Sequence, residues 1–147
     1  QLELLKKNKV AVVCGILSGT LASLTGIFVL CMLFGFNHKQ YVTMLPKSIT
    51  TAIGIGISEE LGGIVTITVA VIIITGILGN VIADTVFHIF KIKNPLAKGL
   101  ALGTASHAIG TARAIEMGPV EGAMSSLAVA VAGLLTVVFV SGFAQLI

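Results

Sequence analysis

The sequence predicts an all-α integral membrane protein, with transmembrane helices and two glycine-rich broken or re-entrant segments related by an inverted repeat. Three observations lead there. First, apolar residues make up 56% of the chain and charged residues only 10%, whereas a soluble domain carries roughly 25% charged residues. Second, three apolar runs are each long enough for a bilayer, which needs about 20 residues. Third, two further stretches are too polar to face lipid and too apolar to be solvent loops, and they align with one another at a fixed offset.

The first span is expected over Val10 to Phe36, behind a short basic leader. Cys14 and Cys31 lie 17 residues apart in it, about 25 Å along a helix, which excludes a disulfide and leaves both as packing residues. The chain begins with Gln1, and its first apolar run is too long for a signal-peptide core, so a fragment of a longer protein is expected. The second span covers Thr66 to Phe90. The third covers Glu121 to Ile147, and Gly118, Pro119 and Glu121 mark its start. Each span carries small residues at fourfold spacing: Gly15, Gly19 and Ser23; Thr75, Gly79 and Ala83; Gly122, Ser126 and Ala130. Such ridges let helix backbones approach closely in lipid.

The two unusual stretches are "YVTMLPKSITTAIGIGISEELGG" (Tyr41 to Gly63) and "LAKGLALGTASHAIGTARAIEMG" (Leu96 to Gly118). Shifted by 56 residues, five of fifteen positions from Thr50 match those from Ser106, and the same shift lays the first span on the second. The chain therefore divides as a single transmembrane domain, 1–147, with repeat A at about 10–63, repeat B at about 66–118 and a last helix at about 119–147. Lys6, Lys7 and Lys9 precede the first span, and Lys91, Lys93 and Lys98 follow the second. The positive-inside rule puts both groups, and the N-terminus, in the cytoplasm. One segment would then dip in from outside and the other from the cytoplasm, each arm reaching about 15 Å, so that the two meet near the midplane. The competing layout makes both segments full, unwound crossings and puts Lys91, Lys93 and Lys98 outside.

Chemistry concentrates in these segments. At membrane depth an ionisable group is costly and is a functional candidate by default. His107 is the candidate for carrying a coupled proton, sharing a helical face with Gly103 and Thr111. Arg113 offers a planar fork matched to a carboxylate; alternatively it anchors the interface, paired with Glu116. Lys47 stands before Ser48, Thr50 and Thr51, where a helix start would aim N–H groups and hydroxyls at an anion; an interfacial lysine is the alternative. Thr104 and Ser106 complete the second wall. Glu59 and Glu60 are expected at the outer surface, and Asp84 with His88 as a local pair at a helix end. The three histidines are scattered and each cysteine stands alone, which argues against a metal. No cofactor motif or catalytic triad is apparent, so no enzyme is expected. The formal charge of +3 is spread too thinly to suggest nucleic acid.

"LPKSITT" (Leu45 to Thr51), "ISEELGG" (Ile57 to Gly63), "KGLALGTASHAIGTARAIEMG" (Lys98 to Gly118) and "EGAMSSLA" (Glu121 to Ala128) make the chain resemble the LrgB/CidB family of bacterial membrane proteins, whose plastid relatives include the glycolate/glycerate translocator. The resemblance implies a multi-pass protein of the bacterial inner membrane with two functional stories. One is passage of a small monocarboxylate such as pyruvate, glycolate or glycerate, often beside a small LrgA/CidA-type partner. The other is a holin-like or antiholin-like homo-oligomer that modulates murein hydrolases and autolysis. The residues favour the carrier, because a pore of simple helices has no need of two matched, broken, polar segments. The expected site for the carboxylate lies between Lys47, Ser48, Thr50 and Thr51 on one wall and Thr104, Ser106, His107 and Arg113 on the other.

Overall fold

The computed structural model describes residues 2–147. Its elements are α1 (Leu2–Lys7), α2 (Lys9–Phe34), α3 (His38–Met44), α4 (Thr51–Glu60), α5 (Val65–Ile89), α6 (Pro95–Met117), α7 (Pro119–Phe143) and a closing 3-10 turn, Ala144–Leu146. Three helices are long and apolar enough to cross a membrane: α2, α5, and α7 with the closing turn. They coincide with the three expected spans to within a few residues. α2 stops at Gly35, whose φ of 65° lets the Phe36 N–H reach back to the Cys31 carbonyl. Pro119 opens α7 one residue after α6 ends.

Between α2 and α5 the chain folds back on itself. α3 starts on a capping box between Asn37 and Gln40 and descends α2 in the opposite sense. Tyr41 meets Phe28 edge-on at 6.3 Å, and further along Ser48 bonds Ser23. Leu45 to Thr50 turn, and α4 climbs back beside α3. Thr68 of α5 ties the two arms together, donating to the Thr43 carbonyl at 2.9 Å and bonding the Ser58 hydroxyl at 2.8 Å.

α6 reverses too, at His107, where φ is 44° and ψ is −136°. Contacts on either side of that residue run in opposite senses. On the first arm Gly99 packs on Glu121 and Gly103 on Ser125, parallel to α7; on the second arm Thr111 bonds Ser125 and Ile115 lies on Gly122, antiparallel to it. The same switch occurs along α5. Lys98 lies over Phe87 and Ser106 over Gly79, whereas Asn80 bonds Ile109 and Asp84 pairs with Arg113. α6 is therefore a helical hairpin with its tip at His107.

The two tips approach from opposite ends of the molecule. Ser23, beside the first tip, is the fifteenth of 26 residues in α2, and Gly76, beneath the second, is the twelfth of 25 in α5. Both tips rest on Ile72: its side chain fills the space over Gly54, and its carbonyl accepts from His107.

Three sequence expectations change. On α7, Ser126 and Ala130 face outward, and the packed ridge is Gly122, Ser125, Ala128 and Ala132; both arms of α6 lie on that side and set the buried face. Cys14 is exposed and Cys31 buried, both as free thiols, so only Cys31 packs inward. Gly103, His107 and Thr111 do not share a face, because the chain reverses between them: Gly103 lies against α7 while His107 turns to α5.

Candidate functional site

The first tip carries a half-buried ammonium group. The Lys47 Nζ donates to the Ser48 hydroxyl at 2.6 Å and reaches the Ser23 hydroxyl at 3.4 Å, while Ser23 donates to Ser48 at 3.0 Å. Among the described residues the ion pairs all belong to Arg113, so Lys47 is held by hydroxyls alone. Each hydroxyl retains donor or acceptor capacity toward a further group.

Lys47 and Ser48 close one end of a groove of about 750 Å³, walled by α2 and the first arm of α6. Gly15, Gly19 and Ser23 form one side and Leu100, Thr104 and Ala105 the other. Glycine is required where the walls touch: a Cβ on Gly19 would stand 2.7 Å from the Thr104 Oγ1. Thr104 returns its proton to the Leu100 carbonyl at 2.9 Å, leaving oxygen lone pairs free. From Lys47 the groove runs toward Leu96 and Asn94 at the start of α6. Beyond Lys47 in the other direction the core is apolar, packed with Leu24, Ile27, Tyr41, Leu45 and Ile49.

The second tip stands behind this groove. His107 is 3% exposed. Its Nε2 lies 2.8 Å from the Ile72 carbonyl, so that nitrogen carries the proton. The ring sits directly on Gly76, where a Cβ would lie 2.7 Å from Cε1. Its own carbonyl accepts from the Thr111 hydroxyl at 2.9 Å, and Thr111 in turn meets Ser125 at 2.8 Å. Ser106 packs on Gly79 of α5.

Of the residues expected to share one site, the structure gathers Lys47, Ser48 and Thr104 around the groove. Thr50 and Thr51 begin α4, and Ser106 and His107 pack toward α5; none of the four lines the groove. Arg113 stands apart on the returning arm of α6, paired with Asp84 and Glu116. The Glu116 pair follows from the i, i+3 spacing, but Asp84 reaches Arg113 rather than His88 because the hairpin brings the returning arm alongside α5. Glu59 and Glu60 are exposed. Ser23 is the residue that sequence reading undervalued. It appeared only as a small ridge member, and its spacing of four from Gly19 was the available sign that it faces the same neighbour. No group of His, Cys, Asp or Glu among the described residues is arranged to hold a metal.

Three membrane-length helices enclosing two folded-back polar segments define a polytopic helical membrane protein. The chain belongs to the LrgB-like family, which it matches over residues 1–146. It is 40% identical over its whole length to the antiholin-like protein LrgB of Bacillus subtilis (strain 168), covering 64% of that protein. It is 41% identical over 143 residues to the antiholin-like protein LrgB of Bacillus cereus (strain B4264), covering 62% of it. The chain thus spans somewhat less than two thirds of the length of these relatives. No solved structure matches it.

Proposed function

We propose that the full-length protein carries a small monocarboxylate across the membrane, and that the groove ending at Lys47 is the substrate-bound half of its path. The reading is non-enzymatic. One observation carries it: a half-buried lysine near the middle of the molecule, held by hydroxyls and, among the described residues, with no carboxylate paired to it. An ammonium group at membrane depth is expensive unless neutralised. A carboxylate entering the groove supplies the missing charge, with Ser23, Ser48 and Thr104 as hydrogen-bond partners. Pyruvate, glycolate and glycerate are small enough for the available volume, and their hydroxyl or keto oxygen suits the same hydroxyls.

The hairpins support the alternating-access form of this reading. Taken as re-entrant segments dipping from opposite faces, repeats A (about 10–63) and B (about 66–118) are inverted copies whose tips converge at mid-bilayer, the arrangement expected of a carrier site. The offset of 56 supports the repeat, because it lays Thr51, where α4 begins, on His107, where α6 breaks. In this frame the groove opens toward the lysine-rich 91–98 loop and so faces the cytoplasm. His107 already donates its Nε2–H to the Ile72 carbonyl, so a coupled proton would add at Nδ1, keep that bond and place a buried positive charge at the tip. That charge would couple the proton to the movement.

A second reading has its own support, since the relatives are named antiholin-like. In it the protein is a membrane homo-oligomer, with or without a small LrgA/CidA-type partner, that modulates murein hydrolase activity, and the groove is an interface. Proteoliposomes of the full-length protein separate the two. The carrier requires saturable uptake of labelled pyruvate or glycolate that falls sharply in Lys47→Met. Non-selective leakage of a trapped dye, indifferent to Lys47→Met and His107→Ala, would establish the second reading instead.

A further inference from the structure

A separate pocket of about 430 Å³ lies where α5 ends and α6 begins. Its rim is basic: His88, Lys91, Lys93 and Lys98 all line it, over a floor of Phe87 and Ile92. We propose that this pocket binds the phosphate headgroup of an anionic phospholipid, with the acyl chains laid along the exposed apolar end of α5.

Four observations point there. α5 closes in a Schellman turn, with the Ile92 N–H bonded to the Phe87 carbonyl at 2.8 Å and the Lys91 N–H to His88 at 3.2 Å. The residue in the left-handed position of that turn is Lys91, at φ 53°. Glycine is the usual occupant because a side chain there is strained, so the lysine stands against the preference of the backbone, and it lines the pocket. Second, among the described residues none of Lys91, Lys93 and Lys98 makes an ion pair, leaving three cations unneutralised on one rim. Third, the pocket's own carboxylate, Asp84, is turned to Arg113 and so does not compete for those lysines. Fourth, the pocket lies at the end of a membrane-length helix whose neighbouring surface is apolar and exposed: Val81, Ile82, Ile89 and Phe90. Lys98 lies over the Phe87 ring at 5.7 Å, which holds its ammonium group at the rim. Charge above and hydrocarbon below describe a lipid rather than a free anion. The site is independent of the carboxylate groove.

The test titrates the full-length protein in neutral detergent with a fluorescent phosphatidylglycerol, with phosphatidylcholine as the neutral comparison and inorganic phosphate as competitor. Each lysine near an anionic lipid contributes about fivefold in affinity. Lys91→Gly, Lys93→Gln and Lys98→Gln together should therefore weaken phosphatidylglycerol binding by roughly a hundredfold. Lys91→Gly alone should weaken it about fivefold while thermal stability holds or rises, because glycine relieves the turn. Lys6→Gln, Lys7→Gln and Lys9→Gln remove the same charge outside the pocket and should leave binding within a few-fold of wild type. Equal affinity for the two lipids, or equal loss in the two triple variants, would overturn the proposal. Displacement of the lipid by millimolar phosphate would also overturn it and identify a soluble-anion site. None of these outcomes depends on transport.

Discussion

At the scale of single residues, Lys47 and His107 do different work. Lys47 is held by the Ser48 and Ser23 hydroxyls; under the proposed carrier function, in which it also donates to a carboxylate, its removal should cost a charged hydrogen bond, about 1.5–3 kcal/mol. In proteoliposomes Lys47→Met is expected to lower carboxylate uptake at subsaturating substrate by about ten- to a hundredfold. Folding, read by elution and thermal melting, should change little. His107 sits in a backbone region that L-residues seldom adopt, at a strain of order 1–3 kcal/mol. His107→Gly and His107→Ala both lose the bond to Ile72, but only glycine is released from the strain. The glycine variant should therefore melt at the higher temperature in detergent. The reverse order would mean that the tip is not strained.

Helices in this molecule approach as closely as their glycines allow, and that is where variants at the scale of elements become informative. Gly103 rests on the Ser125 backbone and the Ala128 side chain. Neither a helix backbone nor a methyl group can move aside, so Gly103→Val should force α6 from α7, at the upper end of the 1–3 kcal/mol typical of overpacking or beyond. Gly26 has open space where a Cβ would stand. Gly26→Ala should instead stabilise α2 by about 0.5–1 kcal/mol through the backbone entropy removed. Melting temperatures of the two variants should move in opposite directions from wild type. A fall for both would contradict the packing of α2 described above.

Across the whole molecule, the hairpin form of α6 fixes which residues share an end. Lys98 at its start and Glu116 at its close belong to the same end, and Glu59 belongs to the opposite one. In a variant of the full-length protein lacking Cys14 and Cys31, single cysteines at 98 and 116 should react with an impermeant maleimide from the same face of the membrane. A cysteine at 59 should react from the other face. Labelling of 98 and 116 from opposite faces would mean that α6 crosses the bilayer, and the convergence of two tips at mid-depth would be lost with it.

Much of this architecture was legible in the amino-acid sequence because bilayer thickness sets a length that apolar runs must meet. The three spans could be read to within a few residues for that reason, and the motifs carried the family. The polar interruptions announced themselves by composition, since glycine, threonine and charge are costly against lipid. Residue spacing could not say which polar residues meet. Periodicity assumes an unbroken helix, and the reversal at His107 turns the residues beyond it back along α5 and α7; this is why Arg113 left the expected site for Asp84 and why the Gly103, His107 and Thr111 face dissolved. Ser23 entered the groove because α3 descends beside it, a contact between residues 25 positions apart. Chain chemistry determined what had to avoid lipid, and tertiary contact decided what it would meet instead, because a buried polar group takes its partners from whichever backbone comes within about 3 Å.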